Sequence, residues 1–563
     1  MKSTSGTKGP GGDARFLLWL RLLFAAFFIA AGLYFEWGSA VATLCLTLLL
    51  IWYGRRGGLK LQWSPSWIAV LVLTGAYLLS SLWAADRGLA PWGFVKLLPL
   101  VPFALCCMQA GPDGRQRLLE DLPAIGGVMT VLSFLLQFIP ALQRSFSIAG
   151  RLGGFFQYPN TFACFLLLGL AVLLCRAQRK KRDWLWAALL VFGLLQAGSR
   201  TVIVLAVPVL LAGLLLHHDR VRLLLPMAGG GAAATGVLAL LRIGAAGRVL
   251  EITPSASTFL GRLLYWKDAL PVILRHPFGL GYLGYYFTQG SFQTGFYSVR
   301  WVHNDLLQLM LDVGWIPALL TAGVILYSLF SRSGSRMTRL VGLTLCAHAM
   351  LDFDLAFISM WLVLLLCLDW EGGKTARVKR GAARALAAAG IVLCALSVWI
   401  GAASALSYAS RYQAALALYP WDTFSAVRAI TECTDADALD AMANDVLKRN
   451  DHLAVVWDAK ARTAFSNGDV ASMMEYKRRS ITCAPYALEE YVDSFVMLSQ
   501  AAEAYANAGD MASAMVCISE IRQLQPQLDT VRARTDPLAW RLTETPQLDM
   551  PEEYAQYLAQ AAE

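Results

Sequence analysis

Residues 159–216 read PNTFACFLLLGLAVLLCRAQRKKRDWLWAALLVFGLLQAGSRTVIVLAVPVLLAGLLL. Three apolar runs follow one another here, Pro159–Cys175, Trp184–Ala197 and Thr201–Leu216. The first two are separated by a basic stretch, Arg176, Arg179, Lys180, Lys181 and Arg182, the last two by little more than Gly198-Ser199-Arg200. A hydrocarbon core about 30 Å thick is crossed by about 20 apolar residues of helix. Runs this closely spaced leave no room for soluble structure, so the stretch predicts membrane-spanning helices joined by tight turns.

The whole chain of 563 residues has the same texture: 57% are hydrophobic and 15% charged, against roughly 45–50% apolar and about 25% charged in soluble domains. That excludes a single water-soluble globule. High apolar content, thinly spread cysteines and no strict glycine period exclude disordered, disulfide-scaffold and collagen-like classes. About thirteen apolar runs qualify as spans, from Phe16–Phe35 to Arg384–Tyr408. The formal charge of +9 is dispersed between these runs, so it reads as a topology signal, and no nucleic-acid partner is expected. With the N-terminal tail (1–15) in the cytoplasm, Arg55, Arg56 and Lys60, then Arg115 and Arg117, the 176–182 cluster, Arg220 and Arg222, Arg332, Arg336 and Arg339, and Lys374–Arg384 all fall on the cytoplasmic side. The opposite short loops offer little beyond Arg87, Arg144 and Arg151. The first apolar run reads as an uncleaved helix, because the next span follows almost at once.

The expected fold class is therefore all-α: a polytopic membrane domain over 16–408, then an external helical domain over 409–563 with Ala-rich periodicity. Within the latter, Ala464-Phe465-Ser466-Asn467-Gly468-Asp469 leads to Pro485, and Ala504-Tyr505-Ala506-Asn507-Ala508-Gly509-Asp510 leads to Pro526, each Pro read as ending its copy. The equal Gly-Asp to Pro separation suggests helix–turn–helix repeats, and the stretch Tyr412–Pro420 reads as part of an earlier copy. These segments resemble tetratricopeptide repeats, a class that presents concave protein-binding faces; a protein partner is one expectation for them. Cys433, Cys483 and Cys517 leave at least one thiol unpaired, and no Cys/His metal spacing appears.

Several polar clusters face the external side. Arg151–Asn160 reads RLGGFFQYPN, compatible with an interfacial turn as well as a site. Ser199-Arg200-Thr201 opens a helix, where unpaired amides and the dipole favour an anion and Arg200 adds phosphate-binding donors; a snorkelling arginine is the plainer alternative. The longest external connection, 242–304, carries apolar spacings of three and four at Phe259, Leu260, Leu263, Leu264, Leu270, Ile273 and Leu274. These predict a helix along the membrane surface, with Arg262 and Asp268 on its polar side. His276-Pro277-Phe278-Gly279-Leu280-Gly281 follows it. Trp301–Asp305 reads WVHND: Asn304 or Asp305 suits a helix cap, and His303 sits where an imidazole can titrate. Lys96 lies about two turns inside a span, where an ionisable group is a functional hypothesis by default. His348, Asp352 and Asp354 rank below these. Arginines that stabilise a departing diphosphate, and a histidine that deprotonates an attacking hydroxyl, make a coherent pair.

The series Arg151…Asn160, Ser199-Arg200-Thr201, Gly261-Arg262, His276-Pro277…Gly281, His303-Asn304 and Gly314 resembles the O-antigen ligase and O-antigen polymerase superfamily over about 151–330. The resemblance implies a bacterial cytoplasmic-membrane glycosyltransferase, independent of metal and cofactor. It takes a glycan from an undecaprenyl-diphosphate carrier in the lipid bilayer, on the external side, for a glycan, lipid or protein acceptor. It further implies that Arg200 and Arg262 contact the diphosphate and His303 acts as base. Arg151, Asn160, Lys96 and Asn304 are implied as substrate-binding or cavity-shaping residues. A solute transporter component and a non-catalytic assembly scaffold are the competing classes.

Overall fold

The computed structural model describes residues 10–176, 180–216, 221–240, 257–331, 334–371 and 373–561. The first nine residues of the N-terminal tail, Arg179, Arg220, Arg332 and the opening 241–256 of the long connection lie outside the described residues. The chain divides into two compact units. One comprises Met1–Leu79, Trp92–Thr253 and His303–Ala405, the other Ser80–Pro91, Pro254–Val302 and Leu406–Glu563.

In the first unit almost everything described is helix. Glu36–Arg56, Ala90–Leu136 and Arg380–Tyr408 are long and apolar enough to cross a membrane. Pro65–Ser80, Pro159–Cys175, Arg200–Gly213, Trp315–Phe330 and Ile358–Cys367 are shorter apolar helices. The helix Pro159–Cys175 is buried at every position except Asn160 and Cys175, and all of Ile358–Cys367 is buried. Apolar residues on every side of a helix are the mark of a central one. The helix Arg380–Tyr408, long and apolar enough to cross a membrane, instead leaves Leu386, Ile391, Val392 and Trp399 exposed, which suits a face turned to lipid. Two runs that read as separate spans, Pro91–Met108 and Leu122–Pro140, fall on a helical stretch that is broken after Leu97, bent at Gly111 (φ 66°) and ended at Leu136, so Arg115 and Arg117 lie on helix. The run Asp305–Phe330 divides at Gly314 into Asp305–Val313 and Trp315–Phe330.

Two short ladders complete this unit. Lys60–Trp63 pairs antiparallel with Lys374–Arg377. Ser147–Ile148 pairs with Arg151–Leu152, Ile148 opposite Arg151. The hairpin turn consists of Ala149 (φ 51°) and Gly150 (φ 72°), the double positive φ that matches strand twist in a two-residue connection.

The second unit contains the helices Thr423–Glu432, Ala436–Leu447, Ala454–Ser466, Val470–Cys483, Leu488–Asn507 and Met511–Arg534. The turn after Ala454–Ser466 and the turn after Leu488–Asn507 have the same construction. Gly468 (φ 76°) and Gly509 (φ 80°) reverse the chain, and Asp469 and Asp510 cap the next helix by accepting from the amides of Ser472 and Ser513. Buried Lys477 donates to Asp458 and to Glu490, both at 2.7 Å, and so ties successive helix pairs together. One expectation fails. Pro526 does not end its copy, because Met511 starts a helix that runs on to Arg534. Leu524, Leu528 and Val531 are buried on one side of it, and that packing outweighs the hydrogen bond a proline forfeits. Cys433, Cys483 and Cys517 are free thiols, as are the eight other cysteines.

Candidate functional site

The site in the first unit is built on the Ser147–Leu152 hairpin. Arg151 leaves it half-buried, donates Nε to the Ala197 carbonyl at 2.8 Å and donates a guanidinium N–H to Asn160 Oδ1 at 2.7 Å. Asn160 lies in the first turn of Pro159–Cys175, a helix that opens with proline at a position where no N–H is needed. Its amide donates to Asp352 Oδ2 at 2.8 Å. The Tyr158 hydroxyl donates to Asp352 Oδ1 at 2.9 Å. His303 Nδ1 lies 3.2 Å from the same oxygen.

Asp352 is fully buried; it gathers donors from two separate stretches, 158–160 and His303, and places a carboxylate behind the imidazole. A carboxylate accepts, so Nδ1 carries the hydrogen and Nε2 is the basic nitrogen of that tautomer. His303 keeps 21% side-chain exposure and its ring meets the Phe353 ring at 4.9 Å, nearly edge-on. Its backbone is left-handed (φ 54°), as is that of Gln157 (φ 55°) in the loop before Asn160. Such conformations cost on the order of 1–3 kcal/mol outside glycine and gather at functional sites.

The stretch 350–357 that carries Asp352 is fastened from below. Asn304 caps the helix Asp305–Val313 by accepting from Leu307 N and donates its amide to the Met350 carbonyl at 2.9 Å. Asp305 accepts from Leu355 N at 2.8 Å. Thr161 donates to Asp354 at 2.8 Å, and His348 Nδ1 pairs with the same carboxylate. Cys164, His348 and Asp354 bring three buried ligand-type atoms within 4.8 Å of one another, a grouping in space that no spacing in the sequence announces. His348 already shares its Nδ1 with Asp354.

Gly198 (φ 57°) ends the helix Lys181–Ala197, and the next helix starts two residues on, at Arg200. The Arg151–Ala197 bond thus ties the hydrogen-bonded chain to the turn that presents Arg200. Beside that turn Gln196 Nε2 and Ser199 Oγ are buried, and neither has a hydrogen-bond partner among the described residues. Lys96, 2% exposed, lies in the last turn of Ala90–Leu97, donates to the Tyr34 carbonyl at 2.7 Å and sits 4.6 Å from the Tyr34 ring. Through Tyr34 and Phe357 (4.9 Å) it borders the Tyr158 side of the site. The first unit therefore brings Arg151, Asn160, His303 and Asn304 together, adds the Arg200 turn at one end, and places Lys96 at an aromatic margin. Tyr158 and Asp352 are the members that motif reading passed over or ranked low. The visible signal was an acid pair, Asp352 and Asp354, between two apolar runs.

Arg262 belongs to the second unit, half-buried on the helix Ser257–Arg275. Asp268 of that helix is buried, contrary to the polar-side expectation. It accepts from Thr294 N at 2.8 Å, Thr294 Oγ1 at 2.7 Å and Tyr297 OH at 2.8 Å. These three donors make burial tolerable. Burial still pushes the Asp268 carboxyl above its ordinary value, against the pull of those bonds.

Residues 185–322 match the family model described as O-Antigen ligase. The matched segment contains Arg200, Arg262, His303 and Asn304. It supports the O-antigen ligase superfamily and, with the apolar helices, a membrane-associated, glycosyltransferase-like activity in surface polysaccharide assembly on a glycan and a lipid-linked substrate. No curated protein and no solved structure matches the chain.

Proposed function

We propose that this chain transfers or polymerises a glycan from an undecaprenyl-diphosphate-linked donor at the external face of the bacterial cytoplasmic membrane, without a metal. In this reading the helices form about thirteen spans. The N-terminus is cytoplasmic, and the tetratricopeptide-like region after 409 is extracytoplasmic, where it meets an acceptor or protein partner. His303 Nε2 takes the proton of the acceptor hydroxyl as its oxygen bonds to the anomeric carbon; the bond to the carrier phosphate breaks and the electron pair leaves on the diphosphate. Arg200 and Arg262 stabilise that developing charge. Asp352 holds the imidazole in the required tautomer, and Arg151 and Asn160 hold Asp352. Asn304 holds the loop beneath, and Lys96 lines the cavity.

The observation that carries the reading is the His303–Asp352 contact, set in strained backbone and reached from Arg151 through Asn160. The test supplies purified protein with a carrier-linked oligosaccharide and a candidate acceptor. Arg200→Ala and Arg262→Ala should each abolish turnover with expression intact. Full activity in both would remove the diphosphate clamp, and solute flux in proteoliposomes without glycan product would mark a transporter instead.

A further inference from the structure

The helix Ser257–Arg275 is held along its length by a segment nearly three hundred residues later in the chain. At its start, Ser257 Oγ accepts from Thr543 N at 2.9 Å. In the middle, Leu264 is fully buried in a cluster with Tyr297 and Ala539, and Leu538 and Leu542 pack against it. Further on, Lys267 pairs with Asp536, a carboxylate only 6% exposed. The Asp536 amide donates to the Thr294 carbonyl at 2.8 Å, and Thr294 binds Asp268 of the same helix. Gly295 closes the gap: a Cβ there would lie 2.7 Å from the Ala539 Cβ and 2.8 Å from Leu264 Cδ2. At about 100° per residue, Ser257, Leu264, Lys267 and Asp268 share one side of the helix, and Arg262 leaves it roughly opposite. Trp266 Nε1 also donates to the Val302 carbonyl at 3.0 Å, and Val302 precedes His303 in the chain.

We infer that the C-terminal segment Asp536–Thr543 is a positioning clamp for the arginine-bearing helix, so that Arg262 engages the carrier diphosphate only while residues that touch no substrate grip the helix behind it. The inference rests on the proposed role of Arg262. It gives the region beyond the repeats a part in donor binding, distinct from recruitment of an acceptor. The ion pair, the Asp268 network and the Gly295 contact act on one rigid element, and a misplacement of about 1 Å at a charged contact is enough to weaken it strongly.

The experiment uses the full chain in nanodiscs, with undecaprenyl diphosphate as the binding probe and hydrogen exchange as the structural readout. Asp536→Asn removes the ion pair, and Gly295→Val wedges the contact from the other side. Each should raise amide exchange in 257–275 by about tenfold while leaving Leu488–Asn507 unchanged. Each should also weaken binding of undecaprenyl diphosphate several-fold, and should weaken it no further in an Arg262→Ala background. Unchanged exchange in both variants overturns the clamp outright. Raised exchange with unaltered carrier binding overturns its link to Arg262, as does an equal loss in the Arg262→Ala background. If Arg262→Ala itself binds carrier normally, the functional reading of that arginine fails while the exchange result still judges the clamp.

Discussion

The two units hold their candidate side chains in different ways. In the first, Arg151, Asn160, Asp352 and His303 hold one another, so each group poised for chemistry is also part of the scaffold for the next. In the second, Arg262 stands on a helix gripped by Asp536, Thr294 and Tyr297 from its other side, none of which has a chemical assignment. The contrast implies that mutations in the first unit change chemistry and order together, whereas in the second they separate. A mutual network also explains how a left-handed histidine backbone persists: the surrounding bonds over-determine it.

The largest expected effect is at His303. His303→Ala should lower the single-turnover rate by about 10³-fold, the scale of a lost general base, with carrier affinity nearly unchanged; equal rates in mutant and wild type would sink the base assignment. Asp352→Asn comes next, with a loss of about 10²-fold or more, because a neutral amide no longer supports the imidazolium that forms. Its NH2 also meets a donor whichever way it turns, the Asn160 amide on one side or Tyr158 and His303 on the other. Exchange around Tyr158 and Met350 should rise with it, since in this unit order and chemistry move together. A variant with slowed turnover and undisturbed exchange would break that half of the comparison. Gly509→Ala should destabilise the Leu488–Arg534 helix pair by about 1–2 kcal/mol, the cost of a Cβ at a left-handed position, and leave the single-turnover rate alone. Exchange across 488–534 reads the first effect and rapid-quench kinetics the second.

The smallest effect is a pH dependence confined to the second unit. Burial alone would raise the Asp458 carboxyl, yet the bonds from Arg462 and Lys477 outweigh it and the group sits below its ordinary 3.8. A depressed carboxyl contributes stability that is present above the unfolded value and is lost as pH falls through the folded one. Asp268, raised by burial, has the opposite sign: its contribution is complete below the unfolded value and fades as pH climbs through the raised one. Asp536, which against its burial is pulled below the ordinary value by its bond to Lys267, shares the sign of Asp458. Acidification should therefore loosen both Ala454–Cys483 and 257–275, whereas a rise in pH through the raised Asp268 value should loosen 257–275 alone. A pH series of exchange rates in which that rise loosens both segments would contradict this pairing.

Much of the first unit was legible because its signals are local. Apolar runs mark helices, Gly198 and Gly314 mark breaks, and the order Arg151, Arg200, His303 survives as a linear series. Asn304 as a cap follows directly from its place before an apolar run. What escaped depends on pairing across long stretches of chain. Asp352 lies 49 residues from His303 and Asp536 lies 269 from Lys267, and no periodicity links either pair. Asp268 looked like a surface charge because its three donors come from Thr294 and Tyr297, on a loop with no regular pattern. Pro526 looked like a terminator because a ring's local cost is visible in the sequence, whereas the buried leucines that offset it are recognised only in the packed helix.

That the second unit is stitched from three separate stretches has a practical corollary for anyone wishing to study it alone. A polypeptide beginning at residue 409 would carry Asn450 without the Asp86 carboxylate that accepts its amide at 2.8 Å, Tyr419 without the Gly88 carbonyl, and Ala539 without Leu264 and Tyr297 over it. It is expected to be sticky and loosely folded at those three places. A chimaera that splices 80–91 and 254–302 onto it through short linkers should recover solubility and a sharp melting transition.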